Sequence, residues 1–122
     1  HIRDGAEFIG VNPDACYPTP DGLAPGSGPI VAALACASGV EPKFMGKPEH
    51  FIFETCLQRM GLQPAEAASL GDRLDTDIEG GLRAGMKAIL VLTGVTNAEQ
   101  AKTAAIRPTW VFSGIDELAK SL

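Results

Sequence analysis

The chain has 122 residues, 45% of them hydrophobic and 20% charged, which suits one compact soluble domain and is too short for two. A net charge of −5 and an isoelectric point near 4.9, with no basic arm or stripe, argue against nucleic acid or an anionic membrane as a partner. No apolar run reaches membrane-spanning length and no signal-peptide pattern opens the chain, so a cytoplasmic protein is expected.

In chain order, the opening "HIRDGAEFIG" lacks Met and enters a strand-like run almost at once, so it reads as the continuation of something longer. "EFIGV" (7–11) suits a short strand. "NPDACYPTPDGLAPGSG" (12–28) is rich in proline and glycine and reads as a long connection. "PIVAALACASG" (29–39) is a helix closed by Gly39, and "KFMG" (43–46) is a short strand. Pro48 suits the first turn of a helix whose apolar stripe is Phe53, Cys56, Leu57 and Met60, with Gly61 as its stop. "AASLG" (67–71) is a buried strand and "TDIEGGLRAG" (76–85) a helix ending at Gly85. "KAILVLTG" (87–94) is a continuous apolar strand of the kind covered on both faces. "NAEQAKTAA" (97–105) is helical and "TWVFS" (109–113) a last strand. Ile115, Leu118, Ala119 and Leu122 mark a closing helix. Cys16, Cys36 and Cys56, without a CxxC pair, are expected to be reduced and mostly buried.

Alternating strands and helices predict an α/β fold, a parallel sheet with helices on its faces. Ligands in such sheets bind at the carboxyl ends of strands, which directs attention to Lys47 and Asp72. Asp72 opens an acidic stretch that continues with Asp75, Asp77 and Glu79. An EF-hand reading fails, because Met86 stands where the loop needs its bidentate Glu. Thr76 and Glu79 have the spacing of a capping box, and Asp77 falls in a helical first turn where the dipole favours an anion. Neither accounts for Asp72, which sits at a strand end. A magnesium site does: Mg²⁺ keeps most of its waters and needs few carboxylates from any one segment. Asp72 is then the direct ligand, with Asp77 holding a metal-bound water or orienting a lysine.

"GKP" (46–48), "GDRLDTDIEGGLRAGMKAILVLTGV" (71–95) and "RPTWVFSGIDEL" (107–118) together resemble the haloacid dehalogenase-like phosphatases. More narrowly, they are similar to the NagD-like, 4-nitrophenylphosphatase and phosphoglycolate phosphatase-like branch. "FIGVNPDACYPTPDGLAPGSGPIVAAL" (8–34) is similar to that branch's chain as it leaves the cap and re-enters the core. The resemblance implies a Rossmann-like three-layer sandwich. Residues 1–25 would be the end of an α/β cap and the return hinge, and 26–122 the C-terminal half of the core. It implies that Lys47 is the catalytic lysine of the third motif and contacts the phosphoryl group. Asp72 would be the fourth-motif magnesium ligand, Asp77 the supporting acid, and Tyr17 a cap residue touching substrate.

The resemblance also exposes a departure. The family's nucleophile is the first Asp of D-x-D-G-T, and the D-x-D at Asp75–Asp77 lies in the wrong motif and is followed by Ile78. Thr93 mimics the second-motif hydroxyl but follows the wrong strand. The expectation is therefore an Mg-dependent phosphatase of small phosphorylated metabolites, such as sugar phosphates, phosphoglycolate, nucleotides or p-nitrophenyl phosphate. Its aspartyl-phosphate would form on a nucleophile outside these residues. This chain alone would be inactive, and either marginally stable or associated with another copy or its missing N-terminal half. Two other readings compete. One is a dinucleotide-binding module, suggested by "GSGPIV" (26–31), which lacks the third glycine and the preceding strand. The other is a non-catalytic interaction or regulatory half-domain of the same fold.

Overall fold

Strand β6 (Lys87–Val91) organises the larger of two compact units, Lys47–Leu122; the smaller is His1–Gly46. The computed structural model describes residues 1–121, so the expected contribution of Leu122 lies outside the described residues. Strand β5 (Ala68–Gly71) pairs in parallel with β6 on one side, and β7 (Trp110–Phe112) does so on the other, giving the order β5-β6-β7. The register Leu70↔Ile89 and Gly71↔Leu90 brings the end of β5 level with the middle of β6.

Alternation along β6 decides which face is closed. Ala88 and Leu90 are fully buried with Ile78, and Leu74, Leu92, Ala101 and Ile106 pack around them. Ile89 shares the opposite face with Trp110 and Phe112, where Leu118 of α5 (Ile115–Ser121) lies. Helical segments thus cover both faces, as the apolar run predicts. The Ile89 face is the looser, since Ile89 and Val91 are only half-buried.

Helix α2 (His50–Met60) begins two residues after Pro48, which follows a cis Lys47–Pro48 bond, rather than including the proline in its first turn. Its packed stripe is narrower than expected: Leu57 is buried and Phe53 half-buried, but Met60 and Cys56 are exposed. Phe53 packs against Gly80 of α3 (Glu79–Arg83), where a Cβ would overlap its ring. Helix α4 (Ala98–Thr103) starts at a reciprocal box in which Asn97 and Gln100 each accept the other's backbone N–H.

In the smaller unit, β1 (Ile9–Gly10) pairs in parallel with β4 (Lys43–Phe44), and α1 (Ser27–Ser38) ends on Gly39 in the left-handed conformation. The expected long connection contains a hairpin instead, β2 (Cys16–Thr19) against β3 (Gly22–Pro25). Pro18 and Pro25 disguise it, because proline cannot donate to a ladder. A two-stranded ribbon has an open edge on each strand and tolerates them. Gly22, at φ 127°, closes the turn. The three cysteines are free as expected, but Cys36 and Cys56 are exposed and Cys16 half-buried, because the positions assigned to packing face outward. Among the described residues, no helix is long and apolar enough to cross a membrane.

Truncating Leu90 removes side-chain volume from a site that nothing else fills. Leu90→Ala should cost about 2–5 kcal/mol in chemical denaturation. Leu70→Ala, at a position 46% exposed, should cost well under half of that.

Candidate active site

The site is built at the carboxyl end of β5. The chain leaves Gly71, passes Asp72 and Arg73, and enters a π-helical turn (Leu74–Ile78) that runs directly into α3. The helical segment therefore starts earlier than the expected Thr76, and the Thr76–Glu79 capping box does not form. Thr76 is buried inside the turn, and Glu79 pairs with Arg83 one helical turn on. The group that caps the segment is Asp77. Its Oδ2 accepts the Arg73 N–H at 3.1 Å, reaching back four residues where an ordinary box reaches back three. The wider π turn supplies the extra residue, and such turns often accompany functional sites.

Asp77 is buried, and its other oxygen, Oδ1, accepts from the Lys47 ammonium at 2.5 Å. The pair is asymmetric: the Asp77 side chain is 8% exposed and that of Lys47 51%. The carboxylate is thus a fixed anchor, and the lysine reaches from it toward solvent with two N–H donors to spare. Gly71 makes room for this. A Cβ there would overlap the Asp77 carboxylate, so the strand passes directly against the anchor.

Asp72 lies between two residues that touch Asp77: Gly71 by packing and Arg73 by its N–H. Its own Oδ2 accepts the Val95 N–H at 2.7 Å, and its carbonyl accepts the Thr96 N–H at 3.0 Å. Its Oδ1 has no hydrogen-bond donor among the described residues. A half-buried carboxylate with one tethered and one open oxygen fits a hydrated Mg²⁺, which takes one or two carboxylates and keeps several waters. These residues do not complete a metal cage, since no cluster of His, Cys, Asp or Glu that could hold an ion by itself occurs among the described residues.

The remaining acids are compensated by arginines rather than by the helix start. Arg73 grips Asp75 through Nε and Nη2, at 3.2 and 2.9 Å. That hydrogen bond, with the guanidinium charge, holds the Asp75 carboxyl below its ordinary value despite partial burial. Asp75 is thereby committed to Arg73 on the exposed side of the turn. Tyr17 lies on β2 in the smaller unit, 55% exposed. Sequence reasoning passed over Gly71, Gly94 and Val95. The available signal was a glycine at or just after a strand end, where backbone has to approach a side chain closely.

A strand-end aspartate, a lysine anchored on a buried acid and a doubly covered parallel sheet place charged groups of both signs at the strand ends of an α/β fold, a site suited to a charged ligand. The HAD-hydrolase-like family model matches residues 44–118, and the chain belongs to the haloacid dehalogenase-like hydrolases. It is 40% identical over 121 residues to the acid sugar phosphatase of Staphylococcus aureus (strain USA300), covering 99% of this chain and 47% of that protein. A 4-nitrophenylphosphatase structure from Thermotoga maritima superposes with a TM-score of 0.90 at 37% identity, covering 98% of this chain and 46% of the other. The glycerol phosphate phosphatase of Mycobacterium tuberculosis, in complex with magnesium, gives 0.88 at 41%, covering 96% and 36%. The expected family and branch are thus found, and the chain spans about half the length, 47%, of the curated relatives it matches.

Because the folded Asp75 carboxyl titrates lower than the ordinary 3.8, its contribution is present above that value. It is lost as pH falls through the depressed one. At neutral pH, Asp75→Asn should destabilise by no more than about 1 kcal/mol, as exposed pairs do. In denaturation curves across pH, that gap should close on acidification below the ordinary carboxylate value. A gap that widens there would contradict the assignment.

Proposed function

We propose that this chain forms the lysine- and metal-bearing part of a phosphate-monoester hydrolase acting on a small phosphorylated metabolite. The observation that carries the reading is the Lys47 ammonium, held on buried Asp77 beside a strand-end Asp72 with an open oxygen. The names of the relatives support the reaction class. They also favour sugar phosphates and related small esters over nucleic acid.

Phosphoryl transfer depends on positioning and on stabilising charge at the equatorial oxygens. Lys47 is suited to that task. With one N–H committed to Asp77, its remaining donors can point at phosphoryl oxygens as charge builds there. Asp77 orients the lysine by accepting one of its N–H groups and acts through it. Asp72 would hold Mg²⁺ through Oδ1, and that cation would supply Lewis-acid charge next to the phosphoryl group when bound. The nucleophilic aspartate that becomes the aspartyl-phosphate, and the second-motif hydroxyl, would come from outside these residues. We assign residues 1–25 to the end of a cap and hinge and 26–122 to the core half, with Tyr17 as a cap contact to substrate. On this reading the 122-residue chain alone does not turn over, and it is either marginally stable or associated with its other half or with a second copy.

The test is turnover of the whole protein on sugar phosphates, phosphoglycolate, nucleotides and p-nitrophenyl phosphate. Lys47→Ala should lower kcat about 10²–10³-fold and Asp72→Ala should abolish activity, both leaving the protein folded by circular dichroism. Glu79→Ala should retain activity and cost about 0.3–0.5 kcal/mol, as an exposed helical ion pair does. Full activity in Lys47→Ala, or equal loss in Glu79→Ala, would refute the site.

A further inference from the structure

We propose that the turn Gly94–Val95–Thr96 is a positioning device for Asp72, fixing which of its carboxylate oxygens faces the metal. This rests on the reading of Asp72 as a metal ligand and goes beyond it by naming what aims the ligand. Three consecutive residues engage Asp72 in three different ways. Gly94 packs its bare Cα against the carboxylate, where a Cβ would overlap Oδ2 and Cγ. Val95 donates its backbone N–H to Oδ2 at 2.7 Å. Thr96, itself buried, donates its N–H to the Asp72 carbonyl at 3.0 Å. Backbone and side chain of Asp72 are therefore pinned together, and the carboxylate cannot rotate without losing the Val95 bond. Oδ1 is left as the free oxygen.

The physical consequence is directional. Mg²⁺ demands near-ideal octahedral geometry, so a ligand displaced by a fraction of an ångström binds poorly. An N–H on the second oxygen orients the carboxylate and disfavours bidentate capture of the ion. Outer partners of this kind typically contribute about 10–100-fold in metal affinity. Gly94 and Val95 are argued to act through Asp72, which makes both positioning residues.

The experiment compares the whole protein with Asp72→Asn, Gly94→Ala and Val95→Pro, the last removing the N–H without adding a Cβ at Gly94. Mg²⁺ affinity is read by calorimetry and Mn²⁺ binding by electron paramagnetic resonance, alongside kcat and KM. Asp72→Asn should lose metal binding. Gly94→Ala and Val95→Pro should each weaken Mg²⁺ about 10–100-fold, with kcat recovered at saturating Mg²⁺ and substrate KM unchanged. If Asp72→Asn binds metal like the wild type, the metal assignment itself fails. If Asp72→Asn loses the metal but Gly94→Ala and Val95→Pro bind it normally, the positioning inference alone is overturned. A variant that merely loses stability would lower Tm without moving metal affinity, which also overturns it. Should neither turn variant fold, a crystal of the unmutated protein soaked in Mg²⁺ decides. Metal on Oδ1 with Oδ2 still on the Val95 N–H supports the inference, and metal on Oδ2 or on both oxygens overturns it.

Discussion

A buried carboxylate has to find partners for both oxygens, and the way Asp77 does so organises everything around it. Burying a lone carboxylate costs several kcal/mol. Asp77 offsets that cost with one ammonium and one backbone N–H, on separate oxygens. The N–H bond reaches back four residues to Arg73 and coincides with the π turn. The ammonium bond commits Lys47 at one donor and leaves the rest of its head in solvent. An apolar residue at position 77 would leave the turn without its cap and the lysine without a fixed origin.

The same constraint explains the small residues nearby. Where Asp77 presses on β5, the strand carries Gly71; where Asp72 presses on the turn after β6, that turn carries Gly94. In both places a side chain would collide with a carboxylate rather than with the core. These glycines serve the site, whereas Gly80 and Gly81 serve packing, against Phe53 and Ser69. The two arginines complete the electrostatics. Arg73 pairs with Asp75 and Arg83 with Glu79, leaving Asp77 to Lys47 and Asp72 to the Val95 N–H.

Much of this was readable before any coordinates. The strand "KAILV" and the helix-stop glycines Gly39 and Gly61 stand where periodicity placed them, because burial and positive φ leave few alternatives. Proline hid the β2–β3 hairpin, since composition cannot distinguish an edge strand from a loop. The capping box failed because a π turn shifts the reciprocal partner from the fourth residue of the motif to the fifth, a difference that spacing rules for α-helices cannot register. Of the two partners offered to Asp77, the lysine is the one it bonds in the structure. Lys47 and Asp77 stand thirty positions apart, and no local pattern links them. The Gly94–Thr96 turn went unread for the same reason: its partners are backbone N–H groups, which every sequence has.

The account stands on Lys47 and Asp77 acting as one unit, with the acid working only through the lysine. A double-mutant cycle on kcat/KM of the whole protein, with Lys47→Ala, Asp77→Asn and the pair, measures this directly. The account predicts strong non-additivity: once Lys47 is gone, Asp77→Asn costs almost nothing further in activity. Two losses that simply add would mean that Asp77 has a task of its own in the reaction, and that the anchored lysine is not the centre of the site.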